Sequence, residues 1–388
     1  MSFTQNYPGN WFHVTGKPYP EFPDWRQLGD MYDSYMDAID EYRAYYVSKR
    51  TSSPSVETIN LTSNIAGTGA QKFLTKLNLP DGSIHFPAYQ ASSTISVTPD
   101  NEVIPIANVN SSSIDVCLSP VDGLIYNTPF ASTQIKTQDT TTFATSVKAT
   151  MSANWTSLAM IGGAVADDGT IHFLPCALED EAYKIATTDT AVTLYGNIAT
   201  SSNQGRSFQA AINHGGMLYT PPTAYIDGDW YMRKVDPVAE TITDIQLFAS
   251  ANVFVNGLAC PYKNKVLFMG DGGNAATTGV YLFDTTDNSC ELIGDAQTYA
   301  NSCKGFLAPD GCYYFCNASS YLIRVDIDAE TTTNTGLFLY NIPCLSSSGY
   351  VYSIQSTSTP DLSDIKRVKL FDVPIDPNFL CNRYLNTT

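Results

Sequence analysis

Beyond residue 57, apolar and aromatic residues fall in short runs separated by turn residues, and helical spacing is absent. Val280-Tyr281-Leu282-Phe283 and Tyr321-Leu322-Ile323-Arg324-Val325 are typical. Runs of about four to six residues that alternate or are wholly apolar are what β-strands show. One phrase recurs along the chain: an Asp-Gly turn, then an apolar and aromatic strand, often closed by Pro. It reads Asp81-Gly82-Ser83-Ile84-His85-Phe86-Pro87, then Asp122-Gly123-Leu124-Ile125-Tyr126, then Asp168-Gly169-Thr170-Ile171-His172-Phe173. Further copies begin at Gly215-Gly216, Lys263-Asn264, Asp310-Gly311 and Ser348-Gly349.

The turn residues fall at 82, 123, 169, 216, 264, 311 and 349, with steps of 41, 46, 47, 48, 47 and 38. Gly or Asn at this place has a physical cause, because a tight hairpin needs a positive φ there. A step in the forties is the length of one four-stranded blade, so the pattern predicts an all-β propeller of about seven blades. Later in each copy a strand ends in Asp, as in Phe283-Asp284-Thr285-Thr286 and Val235-Asp236-Pro237. The weak fifth and seventh copies leave six or eight blades open. The seventh copy is too short for four strands, and residues 58–79 can supply the missing strand. That pairing would join the N- and C-terminal strands in one blade and leave no open edge. The domain expectation is an arm over 1–57 and a propeller over 58–388.

The order Asp-Gly-x-Ile-Tyr-x-x-Pro, a strand ending in Asp-x-x-Thr, then Gly, resembles Kelch- or NHL-like β-propeller repeats. It is most similar to the divergent versions found in virus and bacteriophage particles. The resemblance covers roughly residues 59–385 and implies fold more than function. At the repeat's turn the double Gly of a Kelch blade occurs only at Gly215-Gly216, and no Trp-Asp dipeptide is present.

Residues 1–57 break the repeat. The first 24 place Trp11 and Phe12 among prolines. Asp24 and Gln27 then form a capping box for a helix over about 24–49. After Trp25, its apolar positions Leu28, Tyr32, Tyr35, Ile39, Tyr42 and Tyr46 are spaced 4, 3, 4, 3 and 4, a narrow heptad seam. Such a seam packs either on its own propeller or on another subunit. Under the second reading Trp11, Phe12, Trp25 and the seam residues are partner-docking residues.

Charge narrows the partners. With 21 basic and 38 acidic residues the net charge is −17, a field that repels nucleic acid and anionic membrane. No 18-residue apolar run predicts membrane insertion, and no secretory leader is legible in the first 30 residues. The nine cysteines have no zinc spacing and read as small core residues.

Catalytic motifs are sparse. No Gly-x-Ser-x-Gly elbow, His-Glu-x-x-His, P-loop or complete dinucleotide fingerprint occurs, and no cofactor is implied. His85 and His172 share a repeat position that elsewhere holds Tyr126, Tyr219 and Tyr352, which predicts a structural aromatic slot. His13 and His214 have no recognisable partner. Glu179, Asp180, Glu181, Asp227 and Asp229 are loop acids, with glycoside cleavage as their minor reading. Asp271-Gly272-Gly273-Asn274 and Asp326-Ile327-Asp328 read as turns before calcium loops. The expectation is therefore a non-enzyme: a structural or attachment component of a virion, assembled in a host cytoplasm with other particle proteins. The alternative is a propeller binding a cell-surface glycan or receptor. A propeller glycosidase or lyase comes third.

Overall fold

The computed structural model describes residues 40, 43–66, 73, 75–88, 91–107, 115–128, 134–150, 160–175, 181–197, 211–220, 224–226, 229–249, 260–262, 264–270, 279–295, 305–317, 319–355 and 362–381. Their strands form seven antiparallel sheets, as the repeat predicts, and five of the seven have four strands in sequence order. Blade one comprises Leu77–Asn78, Ile84–Phe86, Ser93–Val97 and Val103–Ala107. Blade six comprises Phe306–Leu307, Cys312–Cys316, Tyr321–Asp326 and Thr331–Phe338. Blade four carries a fifth strand, Ala224–Ile226, beside its third strand Asp229–Asp236, which the repeat does not foreshadow.

Blade seven closes the ring. Its strands Ile342–Leu345, Tyr350–Ile354 and Leu362–Lys369 are completed from the other end of the chain by Val56–Ile65. Val56 pairs with Val368 and Ile59 with Ile365, so the outer edge of this blade is made from two distant segments. Seven blades, rather than six or eight, account for every sheet among the described residues.

First strands of neighbouring blades lie against one another, which places them at the axis and the fourth strands at the rim. The up-and-down order then separates two ends. Turns between strands one and two, and between three and four, lie at the turn end. Connections two-to-three and four-to-one lie at the loop end.

Local chemistry shapes the turn end. The Asp of each Asp-Gly turn accepts the amide two residues on: Ser83 N to Asp81 Oδ1 at 2.9 Å, Leu124 N to Asp122 at 3.1 Å, Thr170 N to Asp168 at 2.8 Å, Cys312 N to Asp310 at 3.0 Å. The following Gly82, Gly123, Gly169 and Gly311 all have positive φ. In the second set of turns Asp139, Asp236, Asp284 and Asp326 cap amides in the same way. There Phe143, Glu240, Asn288 and Glu330 take the left-handed conformation. That strain is tolerated because the capped turn fixes it.

Rim strands are guarded against pairing with other chains. The fourth strands of blades two to six carry a register shift near the loop end, and so does Val56–Ile65 in blade seven. Bulges twist an edge out of register for further pairing.

Among the described residues, seven apolar clusters form the core, one at each seam between adjacent blades. The aromatic slot three residues after each turn glycine feeds these seams. His85, Tyr126, His172, Tyr219, Leu267, Tyr314 and Tyr352 are all buried there.

The largest cluster, at the seam of blades six and seven, includes both ends of the described chain. Residues 43–48 are helical and lie on the turn end. Tyr46 is fully buried, edge-on to Phe371 at 5.8 Å, and its hydroxyl donates to Pro374 O at 3.0 Å. Arg50 Nε pairs with Asp310 Oδ2 at 2.8 Å, and Arg43 pairs with Asp328. The expected docking seam is thus corrected at Tyr46, which packs on its own propeller. Trp11, Phe12, Trp25, Leu28, Tyr32, Tyr35, Ile39 and Tyr42 lie outside the described residues, as does the part of the expected helix before residue 40. A second short helix, Pro377–Cys381, buries Leu380 in the same cluster. Five residues are too few to show helical periodicity in a sequence.

Candidate functional site

Two ionisable residues are fully buried at the loop end of the inner strands. Lys76 precedes the first strand of blade one, and Asp115 precedes the first strand of blade two. Thr75 Oγ1 donates to Asp115 Oδ1 at 3.1 Å. Thr128, just past the second strand of blade two, grips the backbone of Asp115. Its amide donates to Asp115 O at 3.0 Å, and Asp115 N donates to Thr128 Oγ1 at 3.0 Å. Lys76 Nζ donates to Pro343 O in blade seven, and it stands 5.0 Å from the Phe306 ring centroid in blade six. One ammonium therefore touches inner strands of two other blades. Burying a cation and a carboxylate costs several kcal/mol per ion unless partners replace water. Paired apolar residues would pack this axis at lower cost, which makes the site a functional candidate.

Deeper along the same strands the contacts are interlocking ones. Asn78 Nδ2 donates to Leu345 O at 2.7 Å, and Asn213 Nδ2 donates to Val165 O and Asp167 Oδ1, both at 2.9 Å. They tie neighbouring inner strands together.

His85 and His172 lie buried in the slot that the repeat predicts. His85 Nε2 lies 3.2 Å from Gln138 Oε1, and its ring stacks on Phe143 at 5.1 Å. Burial pushes its pKa down to about 4. His172 is pushed down to about 4, again by burial. Tyr126 and Tyr314 fill the same slot and donate to the turn carboxylates Asp122 at 2.8 Å and Asp310 at 2.7 Å. These are interblade packing groups. His214 lies buried at the turn end, its pKa also lowered by burial. His13 lies outside the described residues.

The loop acids separate. Asp229 accepts from Gln246 Nε2 at 2.6 Å across its own hairpin. Glu181 opens the third strand of blade three. Glu179, Asp180, Asp227 and the Asp271–Asn274 stretch lie outside the described residues. Asp326 caps its turn through the Ala329 amide, and Asp328 is engaged by Arg43. Cys117, Cys312, Cys316 and Cys344 are buried. Lys76 and Asp115 escaped sequence reasoning, although each is a charge placed directly before an apolar strand, which is the only mark they leave.

No protein-family model matches this chain, and no curated protein matches it. Solved structures do. A streptogramin B lyase matches at TM-score 0.59 and 13% identity over 82% of this chain and 98% of its own. Virginiamycin B lyase from Staphylococcus aureus matches at TM-score 0.59 and 11% identity, over 82% of this chain and 100% of its own. Kuenenia stuttgartiensis hydrazine synthase matches at TM-score 0.57 and 12% identity, over 76% and 96%.

This chain has the seven-bladed propeller fold. At such identities the likeness shows the fold alone. It does overturn one expectation, that the chain is no enzyme. Propellers of this shape include lyases, so missing catalytic motifs do not argue against catalysis here.

Proposed function

We propose that this protein is an interaction propeller within a larger assembly, of the attachment or structural kind found in virus-like particles. One observation carries the reading. Residues 43–50 are fixed to the turn end by Tyr46, Arg43 and Arg50, so the chain ahead of them starts from that end. In this reading the loop end, beneath which Lys76 and Asp115 lie buried, faces a partner. The aromatic N-terminal stretch (Trp11, Phe12, Trp25) would then seat on a neighbouring subunit, and the Kelch-like phrasing of the repeats supports the same reading. Light scattering on the full chain and on a chain starting at Asp40 tests it. Assembly of the full chain, with the shorter one a folded monomer, is expected. Two folded monomers would sink the reading.

A second reading is favoured by the buried Lys76 and Asp115. A small molecule that opened the loop end would reach an ammonium and a carboxylate near the axis, groups of the kind used in proton transfer. A variant of virginiamycin B lyase is known with quinupristin, which makes that compound the first probe. Mass spectrometry of quinupristin incubated with this protein, and with Lys76→Met, checks the reading. Turnover lost in the variant supports it, and an unchanged compound rejects quinupristin as substrate.

A further inference from the structure

Blade six exposes an aromatic pair at the loop end of its rim. The last pair joining strands three and four is Ser93 with Ala107 in blade one and Gln134 with Thr150 in blade two. It is Glu181 with Asn197, Asp229 with Ala249, and Gly279 with Asp295 in blades three, four and five. All of these are small or polar, and in blade seven the pair is Ile65 with Leu362, both buried. In blade six it is Tyr321 with Phe338. The two rings meet edge-on at 5.8 Å, yet Tyr321 is 37% and Phe338 48% exposed. Solvated aromatics side by side gain little from folding alone.

Polar groups gather beside them. Lys366 of blade seven places its ammonium 3.7 Å from the Phe338 ring centroid and 4.7 Å from that of Tyr340. Tyr340 donates its hydroxyl to Asp364 Oδ1 at 2.5 Å. The Tyr340 pKa is pushed up to about 12 by burial and by this bond, so its hydroxyl keeps its proton. Partial burial lowers that of Lys366. Cation–π contact holds the lysine in place.

We propose that Tyr321, Phe338, Tyr340, Asp364 and Lys366 form a binding site for a neutral carbohydrate at the loop-end rim of the seam between blades six and seven. Aromatic faces suit the apolar C–H face of a hexose, and an ammonium and a carboxylate at the margin suit its hydroxyls. A neutral sugar is the fitting class, because Asp364 and the net charge of −17 oppose an acidic one. The site stands apart from Lys76 and Asp115, and it does not depend on how the N-terminal segment is used.

Saturation-transfer NMR of the full chain with neutral gluco-, manno- and galacto-oligosaccharides is the test, repeated with Phe338→Ala, Tyr321→Ala and Asp364→Asn. Signal from at least one oligosaccharide is expected, with affinity at least tenfold weaker in Phe338→Ala and Tyr321→Ala. Thermal unfolding of these variants should match the parent, since both rings are exposed. The proposal is overturned by no signal from any of the sugars, or by binding that survives both aromatic substitutions. Preference for an acidic oligosaccharide would also overturn it.

Discussion

Blades six and seven meet over fifteen buried apolar residues, among them Tyr46 from before the ring and Leu380 from after it. Blades one and two meet over five. What the second seam lacks in apolar surface it makes up with polar contacts: His85 on Gln138 and Phe143, and Thr75 on Asp115. The first seam is capped by both ends of the described residues, and the outer strand of the closing blade is far in sequence from the strand beside it. Apolar burial is tolerant of geometry and scales with area. A buried hydrogen bond is directional and costly when unmade, so it fixes how two blades meet. The seam that gathers both ends of the described chain is mainly of the first material, with the Arg50–Asp310 pair at its turn end, and the seam at the candidate site leans on the second.

The largest test of this contrast is to open the ring. A chain starting at Gly67 lacks the outer strand of blade seven and exposes Leu362–Lys369 as an edge. Loss of cooperative thermal unfolding, with aggregation, is expected. A sharp transition at the parental temperature would show that closure matters little.

Next comes Tyr46→Ala, which empties a fully buried aromatic site and should cost about 3–5 kcal/mol in urea unfolding. A change under about 1 kcal/mol, the range of ordinary surface substitutions, would mean that the N-terminal helix adds nothing to the seam.

Arg50→Met should cost roughly 3 kcal/mol, because the Asp310 carboxylate is then buried without its cation. Adding Asp310→Asn should restore part of that loss. A double variant no more stable than the single one would remove the charge argument.

The smallest effect separates the seams by pH. The His85 pKa is about 4 in the folded protein against 6.5 for an ordinary histidine. Between those values the unfolded chain binds a proton that the folded chain refuses, so stability falls as pH drops from 6.5 to 4. The loss should be on the order of 2–3 kcal/mol for the one group. His85→Gln should flatten that slope, and Tyr46→Ala should leave it unchanged. Equal slopes for parent and His85→Gln would reject a buried neutral histidine at this seam.

Much of the architecture was legible because its causes are local. Asp81-Gly82 and its equivalents make their own turns, since the carboxylate, the capped amide and the left-handed glycine lie within three residues. The spacing of those turns gave the seven blades, and the shared slot marked His85 and His172 as packing groups. Tyr46 was ambiguous for the opposite reason. A heptad seam states that one helix face is apolar without stating what covers it, and here it is Phe371 and Pro374, far along the chain.

By itself, then, the sequence determined the strands, their turns and their repeat, because each depends on neighbours a few residues away. Tertiary structure alone decided where the repeats' odd residues meet. Lys76 reaches Pro343 and Phe306, and Thr75 reaches Asp115, only after seven seams have brought the inner strands around one axis. Phe338 and Lys366 are neighbours only because blade six packs on blade seven. Ring closure by Val56–Ile65 fixes all of these distances at once, through contacts that no local spacing records.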